Sequence, residues 1–132
     1  MIGQILENIA GLCMESLELY ADIVFGSDPP FNGIAMSQAS GRPFDTHLNK
    51  GMQYIIPVVL NGKNTDQKLL LNTIESIHTL LSRTLDYTNI STGEAQVINI
   101  ETTAAPSIIG REQNSQWVCG SSFDITLYWR KE

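Results

Sequence analysis

The sequence contains no run of 18 apolar residues, so it offers no helix that would cross a bilayer. No basic residue precedes the first apolar stretch and Glu7 interrupts it, so the N-terminus does not read as a secretory signal. Synthesis in the cytoplasm is the expectation. There are only two cysteines, Cys13 and Cys119, set far apart, which is neither metal-ligand spacing nor the density of a secreted disulfide scaffold. They read as buried free thiols. Positive charge is also scarce: eight Lys and Arg stand against 14 Asp and Glu, for a net charge of −6 and a pI near 4.8. The basic residues are dispersed, whereas gripping phosphate needs them clustered. Specific nucleic-acid binding is not expected.

What is present is the material of one folded domain. The 132 residues are 42% hydrophobic and 17% charged, too apolar for disorder and long enough to bury a core without metal or disulfides. A single domain over 1–132 is expected.

The chain opens with Ile2, Ile5, Leu6, Ile9, Leu12, Cys13 and Leu17 at three- and four-residue spacing. Gln4, Glu7, Asn8, Glu15 and Glu18 lie opposite, which predicts an amphipathic helix ending near Tyr20. Ile23-Val24-Phe25 reads as a short strand stopped by Gly26-Ser27-Asp28-Pro29-Pro30, and residues 33–38 as a second one. The segment Ser40-Gly41-Arg42-Pro43-Phe44-Asp45 is turn-rich and predicts an exposed loop to about Gly51. Residues 53–60 carry the β-branched content of a strand with no polar face. Pro57 sits inside it and cannot donate to a ladder, which predicts an edge strand whose second face is covered by a neighbouring subunit.

Asn61-Gly62 carries a turn signal, with Asn64 or Thr65 as cap of a second helix. Leu70, Ile74, Ile77, Leu81 and Leu85 mark that helix's apolar stripe. Residues 96–103 then read as a strand that Ala104-Ala105-Pro106 closes. From Trp117 to Arg130 the alternation is strict: Trp117, Cys119, Ser121, Phe123, Ile125, Leu127 and Trp129 share one face, which pins the register. Fourteen residues would reach roughly 46 Å at about 3.3 Å each, so part of this ribbon is expected to project or to bend at Gly120. The expected fold is α+β, with two helices on one face of a mainly antiparallel sheet of four to five strands and a long C-terminal β hairpin.

No pattern of catalytic chemistry emerges. The carboxylates are scattered, and the two histidines, His47 and His78, have no Cys or acidic partner at ligand spacing, so neither metal nor cofactor is expected. Cys119 lies mid-strand on the apolar face, where a thiol is inert. Gly41, Gly51, Gly62, Gly93 and Gly110 are dispersed, and none opens a helix in phosphate-cradling order. Trp117 and Trp129 lack the basic companions of a base-stacking platform and read as core or interface anchors.

The order of these parts, with Asp28-Pro29-Pro30-Phe31-Asn32-Gly33-Ile34-Ala35-Met36 followed by Gly41-Arg42-Pro43, resembles the minor capsid and tail-terminator family of siphophages. The resemblance spans nearly the whole chain, although Gly41-Arg42 stands where relatives often carry paired glycines. It implies a non-enzymatic subunit that forms a ring, with six copies expected, at the head-proximal end of the virion tail. Its partners would be its own copies, the tail-tube protein and the head–tail connector, with no membrane involved and assembly in the host cytoplasm.

Under that reading the long polar loops on a rigid sheet are the places for contacts. Arg42 and Phe44 in the first loop, Arg111 and Glu112 in the segment 106–116, and Pro57 on its strand are the candidate interface residues. Three other readings remain open from the sequence. A head-closure protein would share this composition; a small ligand-binding domain would close the loop 40–49 over a metabolite; and an enzyme would use His47 with Asp45.

Overall fold

A computed structural model describes residues 2–26, 28–38, 52–83, 87, 91, 95–113 and 115–129. Helix α1 (Ile2–Ser16) is followed by strands β1 (Ile23–Phe25), β2 (Ile34–Gln38) and β3 (Met52–Asn64). Helix α2 (Gln67–Arg83) and strands β4 (Ala95–Arg111) and β5 (Trp117–Trp129) complete the order. The five strands form one sheet in the order β1-β2-β3-β5-β4. β1 and β2 are parallel and every other neighbouring pair is antiparallel. The protein is α+β, both helices lie on one face of the sheet, and β4 and β5 make the C-terminal hairpin.

α1 buries Ile5, Leu6, Ile9, Ala10 and Cys13 and keeps Gln4 and Glu7 in solvent, as its period demands. It ends at Ser16, four residues before the expected Tyr20. The apolar period continues beyond the helix because Leu17, Leu19 and Tyr20 still pack on the core from an irregular segment. The Tyr20 hydroxyl lies 3.0 Å from the Gly33 carbonyl and 3.1 Å from the Lys63 carbonyl, tying this segment to the sheet.

The cap of α2 lies one residue beyond Thr65. Asp66 is the cap, its carboxylate accepting from the Leu69 N–H at 3.1 Å, while Asn64 Oδ1 accepts from the Asp66 N–H at 2.8 Å. Neither Asn64 nor Thr65, the expected caps, fills that role, because the Asn64 bond is an Asx turn just ahead of the helix. Leu70, Thr73, Ile74, Ile77, His78 and Leu81 are the buried stripe.

Strand β3 corrects two expectations. Asn61 and Gly62 make no turn: the strand runs through them, pairing Asn61 with Ala35 and Gly120, and Gly62 with Ile34 and Cys119. Glycine is needed at 62 for space, since a Cβ there would lie 2.7 Å from Leu70 Cδ1 and 3.0 Å from Ile74 Cδ1. Nor is β3 an edge strand, because it lies between β2 and β5. Pro57 fits because of the direction its nitrogen faces. The Lys63 N–H donates to the Gly33 carbonyl on the β2 side at 2.9 Å, and alternation points every odd residue of β3 the same way. Pro57 therefore withholds no bond from β5, and the described β2 ladder stops one residue earlier, at Val58.

The hairpin corrects two more. Ala104-Ala105-Pro106 does not close β4, which continues to Arg111 through four register shifts. Pro106 is tolerated because β4 is an edge strand and bulges there. β5 neither projects nor stands alone: all 13 of its residues pair with the 13 residues of β3. A long central pair, rather than an overhanging ribbon, accounts for the length of the alternating segment.

The core lies between the helices and the face carrying Ile56, Val58, Leu60, Cys119, Phe123, Ile125 and Leu127, all at most 1% exposed. Phe123 is the largest of these fully buried side chains. No helix among the described residues is long and apolar enough to cross a membrane.

Candidate interaction surface

The loop between β1 and β2 and the turn of the β4–β5 hairpin meet at one end of the sheet. Lys63 stands between them at the end of β3, where its ammonium reaches Asp28 at 2.7 Å and Glu112 at 3.0 Å. The hydrogen bonds that the Lys63 ammonium donates to those two carboxylates hold it above its ordinary pKa. Beside it, Gln116 is 1% exposed and its Oε1 accepts from the Asn32 N–H at 2.6 Å, while Asn32 Oδ1 accepts from the Thr65 N–H at 3.2 Å. Asn32 takes a left-handed φ of 46° and Ser115, in the hairpin turn, one of 69°, conformations that asparagine and tight turns accommodate.

This stapling holds Phe31 out in solvent at 64% exposure, with Val24 and Phe25 exposed on neighbouring β1. On the opposite edge, Ile98 and Ile109 are the residues left over at two of the β4 bulges, and they too are exposed. Bulges re-aim side chains, here carrying isoleucines outward from an edge. Of the seven exposed large hydrophobic residues among those described, five therefore lie on or beside the two outer strands.

The expected interface residues fare unequally. Arg42 and Phe44 lie outside the described residues, as do Asp45 and His47. Pro57 is half-buried on the sheet face away from the helices. Arg111 is exposed at the end of β4, its guanidinium 5.2 Å from the centre of the Trp117 ring. Glu112 is committed to Lys63 within the chain. The segment 106–116, expected as a loop, is the end of β4 and a tight turn, closed by Ser115 N–H to Glu112 carbonyl at 3.0 Å and Glu112 N–H to Gln116 carbonyl at 2.8 Å. The structure does not bring Pro57 and Arg111 into one site.

His78 is buried, with Nδ1 2.8 Å from Thr102 Oγ1 and Nε2 2.9 Å from Ser121 Oγ. Ser121 gives its only proton to the Leu60 carbonyl at 2.7 Å. Counting donors then fixes the tautomer: Nε2–H donates to Ser121, and the Thr102 hydroxyl donates to Nδ1. Desolvation lowers the His78 pKa, so the ring is held neutral. A hydroxyl next to an imidazole invites comparison with a nucleophile and its base. Here the second ring nitrogen faces a hydroxyl rather than a carboxylate, which leaves a forming imidazolium without the charge that steadies it in such machinery. The arrangement ties α2 to the two hairpin strands.

Beside it, between α2 and the edge strand β4, lies an open cleft of about 430 Å³ lined by His78, Thr79, Arg83, Thr102, Ala105 and Pro106 among others. Both cysteines are free and buried, and burial pushes the Cys13 thiol up to about 12 and the Cys119 thiol up to about 11. Among the described residues no group of His, Cys, Asp and Glu is placed to hold a metal.

No protein-family model and no curated protein matches this chain. Its functional reading therefore rests on the residues, the geometry and the resemblance carried by residues 28–36 and 41–43.

Sequence reasoning missed the Lys63 staple and the cleft. The aromatic Phe31 inside an otherwise polar, proline-rich turn was the one available signal of the exposed anchor. The cleft had none, because it depends on the bulge that places Ala105 and Pro106 opposite Ser121.

Proposed function

We propose that this protein is a structural subunit of a tailed bacteriophage, of the tail-terminator type: copies form a ring on the finished tail tube, end its growth and present a surface to the head connector. The observation that supports assembly is the concentration of exposed Val24, Phe25, Phe31, Ile98 and Ile109 at the two outer strands of one sheet. Single exposed apolar residues are ordinary, whereas apolar residues grouped along unpaired strand edges invite pairing with another chain. The tail assignment comes from the resemblance of the proline-rich turn and the Gly41-Arg42-Pro43 turn. The acidic net charge of −6 suits a ring through which DNA slides without adhering.

The test is a phage in which the gene is interrupted. Loss of a terminator gives tails of uncontrolled length. Normal-length tails beside heads that have lost their DNA would instead assign the protein to head closure.

A further inference from the structure

The two outer strands do more than expose apolar residues: they match each other. Phe25 pairs with Met36 on the helix-bearing face of the sheet, in the row that continues through Leu60 and Ser121. On β4 that row falls on Ala105 and Pro106, the residues left over between Ala104, opposite Ser122, and Ser107, opposite Gly120. Those two residues line the cleft between α2 and β4, on the same face. A half-exposed aromatic ring at one edge thus stands level with an open cleft at the other.

Resting on the ring reading above, we propose that neighbouring copies join head to tail, with Phe25 of one copy seated in the cleft between α2 and β4 of the next. Strand direction agrees. β4 runs opposite to β1 across the sheet, so a copy repeated about an axis along the strands sets its β1 antiparallel to its neighbour's β4. Antiparallel pairing is the more favourable kind. The same placement puts Val24 near Ile109, both on the face away from the helices, where Ile109 lies over Gly120. It also sets Asp22, before β1, within about one row of Arg111, which pairs with Trp117, an exposed acid and an exposed base on the two sides of the joint. The cleft, about 430 Å³, is large enough for a phenyl ring, and Arg83 on its wall can lie over an aromatic face. Because the two patches differ, the contact is heterologous and generates a ring when the rotation closes.

The experiment uses the full chain with Phe25→Asp, which removes the knob, and Ala105→Trp, which fills the cleft. Both positions are exposed, and thermal melts confirm that each variant folds. By sedimentation, each variant alone self-associates at least about 30-fold more weakly than the wild type, the effect of losing a central aromatic anchor. Mixed together they form a one-to-one dimer that grows no further, because one intact knob meets one intact cleft. A wild type that stays monomeric up to about millimolar concentration overturns the joint, as does a Phe25→Asp protein that assembles normally or a mixture that remains monomeric. The tail-length phenotype of the interrupted gene reads the ring assignment separately, so a wild-type ring insensitive to both substitutions would sink this joint and leave that assignment standing.

Discussion

Ser121→Ala tests whether the His78 network ties α2 to the hairpin. The substitution removes a buried oxygen that accepts from His78 Nε2–H at 2.9 Å and donates to the Leu60 carbonyl at 2.7 Å. Leu60 and Ser121 are already ladder partners, so the carbonyl keeps its backbone bond and the loss falls on His78. An unsatisfied buried donor costs about 1–3 kcal/mol, with about 0.5–1 kcal/mol more for the lost bond itself. The expected destabilisation is therefore about 1.5–4 kcal/mol. With an unfolding entropy of about 2.1 cal/mol/K per residue, a chain of this size loses roughly 3–4 °C of Tm per kcal/mol, or about 5–14 °C in all. The assay is urea unfolding at pH 8 followed by circular dichroism. The same experiment with pH checks the charge state. His78 has a folded pKa below its unfolded value, so the unfolded chain takes up protons first. Its contribution is intact above the unfolded pKa of about 6.5 and declines below it, by up to about 1.4 kcal/mol per pH unit, until the folded pKa is reached. His78→Gln, which can donate and accept across the same gap, loses that component of the acid slope. A Ser121→Ala protein within about 0.5 kcal/mol of wild type, or a His78→Gln protein with an unchanged slope between pH 7 and 5, would refute the network as described.

Gly62→Val should destabilise by at least about 1–3 kcal/mol by overpacking against Leu70 and Ile74, measured by denaturant unfolding. Phe123→Ala should cost about 3–5 kcal/mol from the emptied core site, read the same way. Pro57→Ala is expected to change stability by less than about 0.5 kcal/mol, because the proline nitrogen faces away from β5. Lys63→Met should loosen the loop 28–33 more than the whole fold, raising amide exchange at Asn32 and Gly33. Asp28 is 82% exposed, so the ion pair itself contributes less than about 1 kcal/mol. Since the Lys63 pKa is raised on folding, that contribution persists below about pH 10 and fades only above it.

The architecture was legible in the sequence wherever the side-chain period was unbroken. The strict alternation from Trp117 onward fixed the faces of β5, and the spacing of Leu70, Ile74, Ile77 and Leu81 fixed the buried stripe of α2. Errors came where a local signal competed with tertiary packing. Asn61-Gly62 has turn chemistry, yet the glycine is there because two side chains of α2 leave no room for a Cβ. Pro57 and Pro106 both read as strand breakers. The first escapes because its nitrogen faces the side where the described pairing has stopped, and the second because it sits in an edge bulge. Neither fact is local. The interaction surface was less legible still. Glu112, expected to be available to a neighbour, is held by Lys63, 49 positions away in the chain, and Phe25 and its proposed cleft are level only because five strands fall in a particular register.

The most direct test of ring formation at the tail end is negative-stain imaging of the purified protein mixed with tail tubes of the same phage. The account predicts a ring of copies at one end of each tube, absent from tubes mixed with the Phe25→Asp and Ala105→Trp double variant. Tubes whose two ends stay bare at saturating protein would contradict it.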